Sequence, residues 1–408
     1  MTAAKQALSG VRVLELSALA GAVAGRVLAD LGAEVIKVEP EGGEAFRRSE
    51  PTVPTSLGEE SGAWLAFNHG KKSVTLDVDT DAGLDTFARL CATADIVVTD
   101  WERLSIAQMD RLGTAARAAN PALVWTEILP FGRGAPYQDY AATDTTLQAL
   151  GGHLYLNGDV DRPPVRISLP VGLIQGGAEA ASAALMAYYH SLKTGEGQRV
   201  DISVQECIVW TLLNSTMAWQ ILGLNEMRGG AIRKERANRF FTRLVWETQD
   251  GYIFFGPVGG GGGAARIKSY EALVNWMNED GFNDPILTKN DWNGDGQFFI
   301  SQDDYDAVTA VIMAFIKTKT TEELMERAVR ERILLAPISS VAGVFENRQF
   351  RARGLFRKLD DPARGLSVEL PSHWANLSAT PLADPHPAPA PGADTDAILA
   401  MEPEGSLT

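Results

Sequence analysis

The sequence predicts an α/β protein: a mainly parallel sheet with helices on both faces. Three observations carry this. Short apolar runs that alternate like half-buried strands recur along the first half of the chain. Segments rich in Ala, Gly and Leu separate them, with the composition of helices that pack closely on a sheet. The strand–helix alternation that results is solved most simply by parallel strands joined through crossover helices.

Gly10-Val11-Arg12-Val13-Leu14-Glu15-Leu16 is the first strand. Residues 18–32 make a helix whose small side chains let it approach the sheet. Val35-Ile36-Lys37-Val38-Glu39 is the second strand, stopped by Pro40, which has no amide hydrogen to continue a ladder. Strands at 73–78, 95–98 and 123–128 follow, with a helix at 82–92. A long Ala-rich helix at 175–192 ends on Lys193-Thr194-Gly195, a basic last turn and a glycine stop. A strand at 199–204 and a helix at 205–222 complete this block, 1–223. Gly, Arg and Asn then dominate, so 224–243 reads as a linker. A smaller unit, 244–332, opens with a hairpin at 244–255 turning on Asp250-Gly251. Short strands and Gly turns return over 333–408, with an extended Ala/Pro-rich stretch at 381–391 and no internal repeat.

A chain of 408 residues has material for two domains with separate cores. Its net charge of −15 argues against nucleic acid and anionic membranes as partners, since both need a basic face. A small anionic ligand stays open, because a few local Lys or Arg outweigh remote charge. The first residues lack the apolar run of a secretory signal. The most apolar stretch, 18–36, is broken by Arg26, Asp30 and Glu34, which excludes a membrane span. Cys91 and Cys207 are too few for a disulfide framework and suit a reducing compartment, so the expected location is the cytoplasm.

Local chemistry is sparse. Gly259, Gly260, Gly261, Gly262 and Gly263 lack the Lys-Ser/Thr of a phosphate loop and stand far from the first strand, where a dinucleotide fingerprint belongs. They read either as a plain flexible loop or as a lid over an active site. Lys37, Lys71, Lys72 and Arg111 lie near the ends of strands or helices, where an open parallel sheet binds phosphate-rich ligands; solvated surface charge is the bland alternative. The five histidines show no metal-ligand spacing, so no metal is expected. There is no Gly-x-Ser-x-Gly elbow. The residues by themselves establish an α/β protein with a possible anionic ligand.

Several segments add more. They include Ala29-Asp30-Leu31-Gly32-Ala33-Glu34-Val35-Ile36-Lys37-Val38-Glu39, Phe67-Asn68-His69-Gly70-Lys71-Lys72-Ser73 and Lys193-Thr194-Gly195-Glu196-Gly197-Gln198-Arg199-Val200-Asp201. Arg353-Gly354-Leu355-Phe356 and Gly392-Ala393-Asp394-Thr395-Asp396 follow in order. Together they resemble the class III (CaiB/BaiF) CoA-transferase family over nearly the whole chain. The resemblance implies a large Rossmann-like domain from both chain ends, 1–223 and 333–408. A smaller domain, 244–332, is inserted between them, and two chains interlock as a ring dimer. It implies a CoA thioester as substrate on the large domain, with no tightly bound cofactor. By motif position Lys71, and Arg111 of the further match Arg111-Leu112-Gly113, are the leading CoA contacts, with Lys37 and Lys72 beside them, and the glycine run becomes an active-site lid.

In that family an aspartate attacks the acyl-CoA thioester. Counting back from Lys193-Thr194-Gly195 and forward from Pro164-Val165-Arg166 both put Leu173 in its place. Thr99-Asp100-Trp101-Glu102-Arg103-Leu104 also departs from the family's Glu-Asn-Phe-x-x-Gly pattern. The resemblance therefore implies the non-catalytic subunit of a heteromeric CoA-transferase whose homologous catalytic partner brings the aspartate. CoA would move between succinyl-CoA and a carboxylic acid, with benzylsuccinate of anaerobic toluene breakdown as the specific expectation. Two alternatives stand beside it. Another carboxylate, Asp144, Asp159, Asp161 or Glu179, could serve a self-sufficient transferase, racemase or isomerase. The chain could also be a CoA-binding scaffold without catalytic activity.

Overall fold

A computed structural model describes residues 5–234, 241–256, 263–289 and 301–401. The chain opens with β1 (Arg12–Leu16), α1 (Leu19–Asp30) and β2 (Glu34–Glu39). A hairpin, β3 (Thr52–Thr55) and β4 (Gly58–Ser61), and a short helix α2 (Gly62–Asn68) lead to β5 (Lys72–Thr75). Then come α3 (Asp81–Ala92), β6 (Ile96–Asp100), α4 (Ile106–Ala119), β7 (Val124–Leu129), α5 (Asp144–Leu150), α6 (Val171–Thr194) and β8 (Arg199–Ser203). The sheet order is β5-β2-β1-β6-β7-β8, and every neighbouring pair is parallel. This is the Rossmann order, whose ligand crevice opens where the chain reverses its direction of winding, between β1 and β6.

Alternate residues of these strands supply two cores. Val13, Ile96, Val98, Val124 and Ile128 pack with α1 and α6 on one face. Leu14, Ile36, Val97 and Trp125 pack with Phe87, Leu90, Met109 and Leu112 of α3 and α4 on the other. Helices on both faces explain why β6 and β7 are buried end to end. α1 and α6 meet at backbone distance: a Cβ added at Gly177 would lie 2.3 Å from the Ala20 carbonyl oxygen.

α6 starts one turn earlier than the expected 175. Pro170 offers no side-chain cap, and a carboxylate from α5 serves instead. It ends as expected, on Gly195 at φ 77°. The single helix expected at 205–222 is two, α7 (Val204–Trp210) and α8 (Leu213–Leu222). At the break the Thr211 hydroxyl donates to the Ile208 carbonyl, a local bond that competes with helix continuation.

Contacts divide the chain into two units. One comprises Met1–Leu154, Arg166–Gln220 and Asn347–Thr408; the other Tyr155–Val165 and Ile221–Glu346. The expected linker, 224–243, is not plain linker: β9 (Ile232–Lys234) and β10 (Phe241–Arg243) pair antiparallel within it. Residues 155–165 and 333–346 also fall in the second unit rather than the first. The hairpin is present as β11 (Val245–Glu247) and β12 (Tyr252–Phe255), with β13 (Leu335–Pro337) pairing to β12. α9 (Gly263–Glu279), α10 (Gln302–Ile316) and α11 (Thr321–Glu331) close a core around Trp246, Tyr270, Trp276 and Phe315. Gly263 opens α9, while Gly259, Gly260, Gly261 and Gly262 lie outside the described residues.

The chain end returns to the first unit and covers the open edge of β5. Asp394 accepts from the Ser73 amide at 2.9 Å and Thr395 from the Thr75 amide at 3.0 Å. Such cover removes an edge that would otherwise template pairing with other chains. Among the described residues no helix is long and apolar enough to cross a membrane.

Candidate active site at the starts of α1 and α6

β1 carries Glu15 on the same face as Val13, fully buried, so its charge requires buried cations. Lys37 of β2 lies 2.8 Å from one carboxylate oxygen, and Lys71 lies 2.7 Å from the other. Lys37 also touches Glu44 at 2.7 Å and donates to the Ser17 carbonyl at 2.5 Å. Lys71 donates to the Ala22 carbonyl and to Asn68 Oδ1 at 2.9 and 3.0 Å. Burial alone would lower the Lys37 pKa, but Glu15 and Glu44 outweigh it and hold the ammonium above its ordinary range. Burial would raise Glu15, and the two lysines hold it below the usual carboxylate range instead. For Lys71 burial prevails over Glu15, and its pKa falls to about 8.

The sequence placed Lys37, Lys71, Lys72 and Arg111 together at CoA, and the structure separates them. Lys37 and Lys71 have no exposed side-chain surface and a closed set of internal partners. Lys72, half-exposed, pairs with Glu34 at the amino ends of the strands, 2.6 Å away. Arg111 projects from α4 to the loop after β5. There it donates to the Val78 and Asp79 carbonyls at 3.2 and 2.9 Å and to Asp81 at 3.1 Å.

At the β1–β6 crevice the start of α1 already holds an anion of the protein's own. Asp100, at the end of β6, accepts from the Ala18 amide at 2.9 Å and the Gly21 amide at 3.1 Å. Helix starts favour such a charge. Burial nevertheless raises Asp100, nearby Glu102 adds to this, and its pKa reaches about 7. Glu102 keeps exposed surface yet is partly desolvated at the crevice, which raises it; it accepts from the Leu19 amide and feels Asp144 and Glu44. Glu44 itself is pushed up to about 7 by burial, against the pull of Lys37. The crevice is lined by carboxyl groups.

The start of α6 is built the same way. Asp144, in the first turn of α5, accepts from the Leu173 amide at 3.1 Å. Gln148, one turn on, donates its side-chain amide to the other Asp144 oxygen. Leu173 itself turns into the α1–α6 core and is 5% exposed. A cavity of about 130 Å³ adjoins this helix start, lined by Gln148, His153, Val171, Gly172, Gln175, Ile208 and Thr211. A Cβ at Gly172 would lie 2.8 Å from Ile208 Cδ1 and 3.0 Å from the Asp144 carboxylate, so a larger residue there has to displace both side chains. Of the other carboxylates singled out, Glu179 accepts from Gln175 at 2.9 Å on α6. Asp159 and Asp161 belong to the second unit, exposed and 3.9 and 4.0 Å from Arg162.

Sequence reasoning missed Glu15, Asp100, Gln148 and His153. Glu15 and Lys37 had a readable signal, charges inside short apolar strands. Gln148 follows Asp144 at the i,i+4 spacing of a helix face. Asp100 and His153 gave none. Among the described residues no three His, Cys, Asp or Glu side chains converge as a metal site.

The family model described as CoA-transferase family III matches residues 8–395. The chain is 30% identical over 407 residues to succinate–glutarate CoA-transferase of Agrobacterium fabrum, covering 97% of this chain and 96% of that one. It is 27% identical over 372 residues to subunit BbsE of succinyl-CoA:(R)-benzylsuccinate CoA-transferase of Thauera aromatica, covering 90% and 87%. A crystal structure of a CaiB/BaiF family protein from Brucella suis matches with a TM-score of 0.82 at 27% identity, over 98% of this chain and 100% of that one.

Proposed function

The chain belongs to CoA-transferase family III, and we propose that it is a subunit of a heteromeric CoA-transferase in which a homologous partner supplies the nucleophile. Leu173 carries the proposal. In the reaction that the resemblance implies, a carboxylate attacks the acyl-CoA thioester and forms a mixed anhydride with release of CoA thiolate. The thiolate then attacks the enzyme-side carbonyl of that anhydride, giving an enzyme thioester and expelling the donor's acyl group as its free carboxylate. One hard exchange is thereby divided into easier steps. A leucine side chain buried in the core has no lone pair with which to begin. This chain would contribute the fold and a CoA contact from Arg111, which keeps exposed surface at the loop after β5, whereas Lys72 stands at the opposite, amino ends of the strands.

Two further observations favour assembly. The BbsE relative is itself named a subunit. Met186, Tyr189, Leu192, Trp210 and Trp219 are exposed along α6, α7 and α8, apolar surface in keeping with an interlocked ring dimer. The names of both relatives pair a CoA-transferase with succinate or succinyl-CoA and a second dicarboxylic acid. We therefore assign a dicarboxylic acid as acceptor, with benzylsuccinate as the specific candidate and aromatic hydrocarbon breakdown as the setting.

The test is transfer from succinyl-CoA by the purified chain, alone and mixed with a homologue that carries the aspartate. Activity only in the mixture is expected. Full-rate transfer by the chain alone ends the proposal. One observation favours a second reading: Asp144 accepts from the Leu173 amide at the start of α6, and a self-sufficient enzyme would use this carboxylate. Under that reading Asp144→Asn abolishes transfer by the lone chain.

A further inference from the structure

We infer that the cavity beside the start of α6 is a subsite for the hydroxyl group of a short hydroxylated acyl chain. The inference rests on the reading of this chain as a binder of CoA thioesters. It places only the hydroxyl-bearing part of the acyl group in the cavity, keeps any second carboxylate outside it, and favours a hydroxylated acid over benzylsuccinate, which carries no hydroxyl. At about 130 Å³ the cavity is close to the ~150 Å³ that accepts a benzene ring.

The polar atoms on its walls decide what enters. Gln148 is 1% exposed and lines the cavity. Its amide nitrogen donates to Asp144, which as a carboxylate only accepts, and this fixes which way the amide faces. Gln148 Oε1, an acceptor, is left with no protein partner. His153 Nδ1, on the same lining, is a second buried atom without one. The Thr211 hydroxyl donates to the Ile208 carbonyl at 2.7 Å, so it offers the cavity only lone pairs. Val171 and Ile208 add apolar surface, and Gln175, whose side-chain amide donates to Glu179 at 2.9 Å, completes the side-chain lining.

These walls lack Lys and Arg; the Gln175 amide already donates to Glu179, Gln148 Oε1 stands unpartnered as an acceptor, and the Asp144 carboxylate lies directly behind Gln148. An entering carboxylate meets like charge and no cation. A methyl or methylene group fits the volume but seals Gln148 Oε1 away unpaired. A hydroxyl donates to Gln148 and can exchange a second bond with His153, while its carbon chain lies on Val171 and Ile208. Sites built to bond a hydroxyl reject the analogue lacking it for this reason.

Calorimetric titration of the full-length chain with 3-hydroxybutyryl-CoA, butyryl-CoA and free CoA tests the proposal. The hydroxylated thioester should bind about tenfold more tightly than butyryl-CoA. Gln148→Met should bring the two within about twofold, and His153→Leu should narrow the gap. Equal affinities in the unaltered chain overturn the subsite, whether or not the variants fold; so does a preference that survives Gln148→Met. Free CoA bound without discrimination between the thioesters sinks the subsite alone, and absence of CoA binding sinks it together with the CoA reading. Transfer by the lone chain, measured separately, bears only on the heteromer.

Discussion

Lys37→Met asks whether the ammonium beneath the crevice is part of the fold or a ligand contact. Methionine keeps an unbranched apolar stem of similar reach and removes the charge. Glu15 retains Lys71, but Glu44, 3% exposed, loses the cation that touches it at 2.7 Å. Breaking one partner out of a buried ion pair costs about 3–5 kcal/mol. Glu44 limits that loss by taking up a proton, since burial already pushes its pKa to about 7 with Lys37 present. The loss should therefore be near 3 kcal/mol at about pH 8 and smaller at about pH 6. Urea unfolding followed by tryptophan fluorescence reads it, because the Trp64 ring lies 5.1 Å from Lys37. A parallel CoA titration should change by less than about threefold, since Lys37 has no surface to offer a ligand. A stability loss below about 1 kcal/mol, or a tenfold loss of CoA affinity with stability intact, would refute the structural role.

Stability should fall as pH rises between about 4.5 and 7. Burial holds Asp100 and Glu44 at about 7 and Asp30 at about 6, so the folded chain keeps protons that the unfolded chain has released. Glu15 and Glu39, held low by their cations despite burial, add the opposite loss at more acid pH. Urea midpoints should accordingly be higher at about pH 5.5 than at about pH 8, and a flat or rising profile contradicts this. Gly177→Ala should cost about 1–3 kcal/mol in thermal unfolding, because its new methyl meets backbone at the Ala20 carbonyl and backbone cannot give way. An unchanged melting temperature would mean that α1 and α6 are not so close. Arg111→Ala should weaken CoA binding about tenfold while costing under about 1 kcal/mol of stability, and unaltered affinity removes Arg111 from the CoA contacts.

The parallel sheet was legible because buried strands leave little choice of residue: β6 and β7 read as apolar runs since both their faces are covered. α4 was not legible as a helix. Its exposed face is Gln, Asp and Arg, and only the Ser105–Gln108 capping box marks its start. The Gly- and Arg-rich stretch taken for a linker conceals β9 and β10, which pair with each other but at three residues apiece are too short to show an alternating pattern. At the site, motif position located Lys37 and Lys71 but could not tell which way they face. That depended on Glu15, the partner buried between them. A lysine set between Ile36 and Val38 in a short apolar strand is better read as half of a buried pair than as a free cation.

The leucine at the nucleophile's expected position was countable from flanking motifs, but why the fold tolerates it was not. At the third residue of a long helix an aspartate gains about 0.3–1 kcal/mol from the helix dipole. Leucine in the same place, closed into the core with Val23, Val204 and Ile208, gains about 1.5–3 kcal/mol from burial. The amide that an aspartate there could have served is already bonded to Asp144 from the neighbouring helix. The start of α6 therefore does not depend on residue 173 for its polar bonding, and on these terms the leucine stabilises the chain. Under the proposed reading, losing the nucleophile and keeping the fold are separable because the helix cap and residue 173 are different residues. A chain of that kind would remain a sound building block for an assembly whose chemistry another subunit performs.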